Sequence, residues 1–219
     1  MKYYIIAGEA SGDLHGSNLM KGIYAEDPQA DIRFWGGDLM HAVWAGSQNN
    51  PSQEGLVRHY KEGAVMGFVE VLTKARKLLG NLSFCKKDIL EWKPDVVILI
   101  DYPGFNFKMA KFAHSKGIRT FYYISPKVWA WKERRVKKLR KYVDRLYTIF
   151  PFETEYFRRH GIEPIFCGNP LVDDVAERRL TLPSREEFLR ENNLDNRPIV
   201  ALLAGSRRSE IKGNLPDMV

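Results

Sequence analysis

Short β-favouring runs alternate with helix-length amphipathic stretches along the 219 residues. KYYIIA (2–7), DIRFW (31–35), DVVILI (95–100), RTFYYI (119–124), RLYTIF (145–150), EPIFC (163–167) and PIVALLA (198–204) read as strands. Several of these are apolar throughout instead of alternating, which is the mark of strands covered on both faces in a parallel sheet. Between them the spacing predicts helices at about 13–26, 64–79, 84–92, 107–116, 132–142, 153–160 and 184–192. This repeating βα order predicts a doubly wound α/β fold with a parallel sheet, whose ligands collect outside the carboxyl ends of the strands. The loops after the strands are therefore where chemistry is to be sought.

The pattern changes near residue 170. GNPLVDD leaves the sixth strand, and the polar, proline-punctuated stretch AERRLTLPSREEFLRENNLDNRP leads to the run at 198. One strand and the start of a helix cannot make a domain, because a lone strand leaves both backbone ladders unpaired. Residues 1–170 are thus expected to form one α/β domain, and 171–219 a linker and the truncated start of a second α/β domain.

Composition supports a packed core. The chain is 44% hydrophobic and 12% aromatic, and its 17 glycines and 11 prolines are too few for a collagenous or disordered chain. No apolar stretch approaches the roughly 20 residues of a membrane-spanning helix. The opening MKYYIIAGEASGD ends in a Gly/acidic turn with no small-residue cleavage site, so a cytoplasmic protein is expected. Cys85 and Cys167 stand far apart, and His15, His41, His59, His114 and His160 form neither HxxxH nor HExxH, so neither a metal nor a disulfide framework is expected.

The net charge of +7 is concentrated in one place. Lys127, Lys132, Arg134, Arg135, Lys137, Lys138, Arg140 and Lys141 face only Glu133 between positions 127 and 141, and the remaining charges of the chain cancel. Such a patch suits phosphate groups, anionic lipid or nucleic acid, or else is a solvated helix face. No RNA- or DNA-binding module accompanies it, so no nucleic-acid partner is expected.

Four loops carry candidate chemistry. GEASGDLHG follows the first strand, with Gly8, Gly12 and Gly16 four apart; it is neither GxGxxG nor a Walker loop. It offers backbone donors at a helix N-terminus and the polar groups of Glu9, Ser11, Asp13 and His15 to an anion or a sugar hydroxyl network, unless Ser11 or Asp13 is only a helix cap. In DYPGFNF, Asp101 sits at a strand's carboxyl end, where it can act as a base toward a substrate hydroxyl or merely cap the next helix, and Asn106 could hold a substrate oxygen. SPKVWAW sets Trp129 and Trp131 beside the basic run, either stacked on a sugar, placed at an interfacial boundary, or packed on a helix whose buried face is Val136, Leu139 and Val143. In AGSRRSEI, Gly205, Ser206 and Arg207 lie where backbone donors and an Arg fork grip a phosphate.

In this order, GEASGDLHG, MGFVEVL (66–72), DYPGFNF, SPKVWAW (125–131), the PFE at 151–153, GNPLVD (168–173) and GSRRSEI (205–211) resemble the lipid-A-disaccharide synthase family, from residue 5 to the end. The resemblance implies a GT-B glycosyltransferase fold, with 1–170 the acceptor-side Rossmann-like domain and 171–219 the beginning of the UDP-sugar-binding domain. It implies transfer of 2,3-diacylglucosamine from its UDP derivative onto 2,3-diacylglucosamine 1-phosphate, releasing UDP, on the inner face of the cytoplasmic membrane and without a metal or other cofactor. Asp101 matches the family's candidate base, the Ser11 loop its first cleft loop, and Arg207 its contact to the donor phosphates. Asn169 stands where related sequences are expected to show His, which weakens a proton-transfer role at that position.

Acylated substrates need an apolar entry, and GAVMGFVEVLTKARKLLG supplies a candidate. Val65, Phe68, Val69, Leu72 and Leu79 form the main stripe expected to be buried, while Met66, Val71 and Leu78 widen it and Lys74, Arg76 and Lys77 flank it. Met66, Phe68, Val71 and Leu78 are the expected membrane contacts, and an anionic membrane surface the expected partner.

Overall fold

A computed structural model describes residues 1–47, 54–63, 71–130, 132–205 and 208–219, at 71–77 through the backbone. The chain divides into two compact units, Met1–Pro170 and Leu171–Val219.

The first unit is built in the order β1 (Lys2–Ala7), α1 (Ala10–Glu26), β2 (Asp31–Gly36), α2 (Asp38–Gly46), β3 (Leu56–His59), α3 (Tyr60–Gly63), α4 (Val71–Trp92), β4 (Val96–Ile100), α5 (Pro103–Ser115), β5 (Arg119–Tyr123), a 3-10 turn (Glu133–Arg135), α6 (Val136–Tyr142), β6 (Arg145–Thr148), α7 (Pro151–Arg159) and β7 (Ile165–Phe166). The strands form one parallel sheet in the order β3-β2-β1-β4-β5-β6-β7. This is the expected doubly wound α/β architecture. The short strand β3, the helices α2 and α3, and the fusion of the two expected helices before and after residue 80 into one helix were not read from the sequence.

The apolar strands are explained by their two covered faces. Along β1 and β4, Tyr4, Ile6, Val97 and Leu99 point into a core completed by Leu82, Cys85 and Ile89 of α4 and by Phe105, Met109 and Ala113 of α5. Their neighbours Ile5, Ala7, Val96, Ile98 and Ile100 point the other way, onto Met20 of α1 and Met40 of α2. Side-chain alternation along each strand thus feeds two cores, which is why both strands are apolar on both faces.

One polar cluster is embedded in this packing. The Tyr4 hydroxyl donates to Asp88 Oδ2 at 2.6 Å and accepts from Trp35 Nε1 at 2.9 Å, while Arg33 reaches both Asp88 oxygens, Nε at 3.0 Å and Nη2 at 2.7 Å. It ties α4 to β1 and β2, and every member finds a partner, as a buried polar network requires.

The same packing fixes the rotation of α4 and corrects an expectation. Leu78 packs against the core, in phase with the buried Leu82, Cys85 and Ile89, whereas Leu79 is 62% exposed. The stripe therefore runs 78, 82, 85, 89, at the three- and four-residue steps of a helix face, so Leu78 belongs to the packed face expected of Leu79, and Leu79 does not. Met66 and Phe68 lie outside the described residues, as does the side chain of Val71.

The second unit contains α8 (Leu171–Arg179), α9 (Arg185–Glu191) and α10 (Arg208–Met218). Ser184 begins α9 with a reciprocal cap: Glu187 N donates to Ser184 Oγ at 3.2 Å, and Ser184 N to Glu187 Oε2 at 2.8 Å. The run 198–204, expected as a strand, is in no strand, and Val200 and Leu203 are more than 80% exposed. A strand needs a ladder partner, and the described residues of this unit supply none.

Candidate active site at the carboxyl ends of β1 and β4

β1 has β2 on one side and β4 on the other, so the direction of winding reverses between β1 and β4. In open α/β sheets the crevice at such a reversal is where ligands bind. Ala7 pairs with Ile100, which brings Gly8–Glu9 and Asp101–Tyr102 out of the sheet side by side.

The two loops touch closely. A Cβ on Gly8 would lie 2.3 Å from Cδ1 of the Tyr102 ring, so only glycine fits beneath it. Asp101 and Tyr102 both have left-handed backbones, with φ of 43° and 44°. Two consecutive non-glycine residues in that region cost of order 1–3 kcal/mol each. The surrounding structure holds them there: Asn106 Nδ2 donates to the carbonyls of Ile100 at 3.1 Å and Asp101 at 2.8 Å, and the Tyr122 hydroxyl donates to Asp101 O at 2.6 Å. Helix α5 then starts at once from Pro103, whose fixed φ suits a first helical position.

Asp101 is thereby held just beyond the carboxyl end of β4, where it is exposed. The protein mass around it removes solvent and raises its pKa above the ordinary carboxylate value, against the opposing pull of Lys127, the Tyr102 N–H and His15. The consequence is a carboxylate that is a stronger base than a free one.

The other expected residues divide by position. Glu9 and His15 are half-buried beside Asp101 and Tyr102, and Ser11 is exposed at the start of α1. Asp13 does not face the cleft. It is 3% exposed and accepts from the backbone N–H groups of Gly37 at 2.7 Å, Leu39 at 3.1 Å and Met40 at 3.1 Å, capping α2 rather than its own helix. Asn106, expected to hold a substrate oxygen, is fully buried with its amide nitrogen turned to the backbone of the Asp101 loop. Both are correctly seen as polar residues with a task, but the task is to set the shape of the loops. Ser206, Arg207 and Trp131 lie outside the described residues. Gly205 itself has φ of 129° and sits where a Cβ would come within 2.6 Å of Glu210 Cβ, so this position requires glycine.

Trp129 is 37% exposed and held by an unforeseen partner. Glu153, 1% exposed, accepts from Ser125 Oγ at 2.7 Å and Trp129 Nε1 at 3.1 Å through one oxygen. Its other oxygen accepts from the backbone N–H groups of Ile149 and Phe150 at 3.1 Å each. One carboxylate therefore starts α7 and fastens the loop after β5. The indole packs edge-on against Phe152 at 4.9 Å, and Phe152 stacks on Phe150. The legible clue was the spacing: Pro151 at the first helical position and Glu153 two residues later is the pattern of a helix start. In the basic run, Val136 and Leu139 are buried and Lys137, Lys138, Arg140 and Lys141 exposed, as the expected one-faced helix requires.

Among solved structures, the chain is similar to the UDP-GlcNAc 2-epimerase of Neisseria meningitidis bound to UDP-GlcNAc, with a TM-score of 0.59 at 11% identity, over 88% of this chain and 53% of that one. The Methanocaldococcus jannaschii UDP-GlcNAc 2-epimerase in complex with UDP-GlcNAc and UDP gives 0.59 at 15% identity, over 88% and 54%. These likenesses define the fold class: a GT-B-like α/β architecture.

The sequence narrows the class. A family model described as lipid-A-disaccharide synthetase matches residues 3–219. The lipid-A-disaccharide synthase of Geobacter metallireducens is 43% identical over 97% of this chain and 52% of its own length, and that of Acidobacterium capsulatum 39% identical over 99% and 51%. The chain belongs to the lipid-A-disaccharide synthetase family, and it spans about half the length of these curated relatives. Among the described residues no helix is long and apolar enough to cross a membrane.

Proposed function

We propose that the complete protein transfers 2,3-diacylglucosamine from its UDP derivative to the hydroxyl of 2,3-diacylglucosamine 1-phosphate, forming a β-1,6 bond and releasing UDP. The acceptor hydroxyl attacks the anomeric carbon, its proton passes to Asp101, and the bond from that carbon to the diphosphate breaks with its electron pair leaving on UDP. Cationic and dipolar groups must meet the departing diphosphate, and Gly205, Ser206 and Arg207 are assigned that task. Residues 1–170 serve the acceptor, and 171–219 open the domain that binds the UDP-sugar. Glu9, Ser11, His15 and Trp129 line the path of the acceptor sugar. The exposed basic helix α6 and the apolar segment containing Met66 and Phe68 attach the enzyme peripherally to the inner face of the cytoplasmic membrane, since stable attachment draws on two signals together.

The observation that carries this reading is the position of Asp101: a carboxylate made more basic by its surroundings, raised on a constrained loop at the β1/β4 reversal of the sheet, in a member of this family. Asp101→Asn in the full-length enzyme should lower turnover about 10²-fold or more, the scale of a lost general base. Near-normal turnover, with UDP release measured on the folded variant, would remove the assigned role.

A further inference from the structure

A groove of about 450 Å³ lies on the first unit, along α6 and the end of α7. Its lining brings Arg134, Lys137 and Arg140 from one side together with Arg159 and His160 from the other, and among the described residues Glu133 is the only acid in it. That acid is already engaged, with Oε1 3.0 Å from His160 Nε2. Arg159 holds Glu155 through Nε at 2.9 Å. Among the described residues, no carboxylate lies within ion-pair distance of Arg134, Lys137 or Arg140, so three cations converge on the groove without a counter-charge from the protein.

The loops that carry Asp101 take no part in this lining, and the chemistry assigned to the cleft does not use it. We propose that the groove is a binding site for a phosphomonoester. Such a group carries about −1.5 to −2 charge near neutrality and three acceptor oxygens, and so matches several converging cations better than a carboxylate does. Guanidinium forks from Arg134 and Arg140 can each take two phosphate oxygens, with Lys137 between them as a point charge. The groove is also roomier than a bare phosphate requires, leaving space for the sugar or glycerol that carries it. A single-stranded nucleic acid is a poorer match, because among the described residues the lining offers, apart from the His160 ring, no aromatic face on which bases could stack.

The phosphomonoester can come from a lipid headgroup or from a soluble metabolite, and two measurements on the protein separate these sources. One is titration with glycerol 3-phosphate by calorimetry. The other is binding to phosphatidic-acid vesicles and to phosphatidylglycerol vesicles of matched zeta potential. The informative variant is Lys137→Gln/Arg140→Gln, compared with Lys138→Gln/Lys141→Gln, which removes the same charge from the same helix outside the groove. Arg134→Gln/Lys137→Gln serves as a second groove variant should the first fail to fold by near-ultraviolet circular dichroism.

Groove variants should lose about tenfold or more in affinity for glycerol 3-phosphate, and the control pair less than about twofold. With vesicles, both pairs weaken general attachment, but only the groove pairs should erase a preference for phosphatidic acid. Groove-dependent binding of glycerol 3-phosphate without that preference assigns the site to a soluble phosphomonoester. Absence of saturable binding in both measurements, or equal loss in groove and control pairs, overturns the proposal.

Discussion

Gly8→Ala tests whether the cleft owes its shape to the contact between its two loops. The added methyl would lie between 2.3 and 2.8 Å from three carbons of the Tyr102 ring, where ordinary carbon contacts are about 3.5–4.0 Å. The backbone at Gly8 is not left-handed, so the substitution acts through space alone. The ring must retreat by more than about 1 Å. It cannot do so freely, because the ring also stacks on Phe105 at 5.5 Å, and Phe105 is 1% exposed in the core. Overpacking of this kind costs about 1–3 kcal/mol, which for a domain of this size lowers the melting temperature by roughly 3–10 °C. Any retreat of Tyr102 also drags Asp101, its neighbour on the same constrained turn, and a displacement of about 1 Å at a reacting group lowers a rate by about 10²-fold. The assays are thermal unfolding and UDP release by the full-length enzyme, run as a cycle with Tyr102→Ala. Removing the ring should restore most of the stability lost to the methyl, with a coupling of about 1 kcal/mol or more. Native melting and turnover in Gly8→Ala, or purely additive effects in the double variant, would refute the claim that this contact shapes the site.

Asp101→Asn also carries a prediction in pH. A carboxyl whose pKa is raised by folding stabilises the protein when protonated, and this contribution is lost as pH rises through the folded pKa. The Asn variant should therefore melt at or above wild type at pH 7, and its advantage should shrink as pH falls toward the ordinary value of 3.8. Glu153→Gln replaces one of two oxygens that together accept four hydrogen bonds, so it should cost about 2–4 kcal/mol and shift the fluorescence of Trp129, both read in one unfolding experiment. Leu78→Ser should destabilise by about 2 kcal/mol or more, while Leu79→Ser leaves melting unchanged; equal melting of the two would show that the phase of α4 is misassigned.

The architecture was legible because its strands are apolar on both faces, and the placement of Asp101 at the end of β4 because it directly follows one of them. What escaped had a physical reason in each case. β3 is four residues of a half-buried edge and leaves too short a pattern to read. The phase of α4 near residue 78 is set by Leu82, Cys85 and Ile89 further along, so a window ending at 79 weighed the wrong residues. Asp13 and Asn106 were recognisable as polar residues in cleft loops, but their partners are backbone groups of Gly37, Leu39, Met40, Ile100 and Asp101, which no side-chain motif reports. The failed strand at 198–204 shows the limit of local propensity, since a ladder requires a neighbour that composition does not supply.

The bonds from Asp13 to the first turn of α2 make the cleft loop and the turn after β2 a single mechanical piece. Gly37 is crowded from both sides, with Asp13 and Tyr60 each within 2.7 Å of where a side chain would begin. A loop graft that carries residues 8–16 from a relative into this scaffold, but leaves 36–40 behind, would separate a carboxylate from the three amides built to receive it. Exchange of this loop among members of the family is therefore workable only when both segments travel together, although residues 17–35 lie between them in the chain.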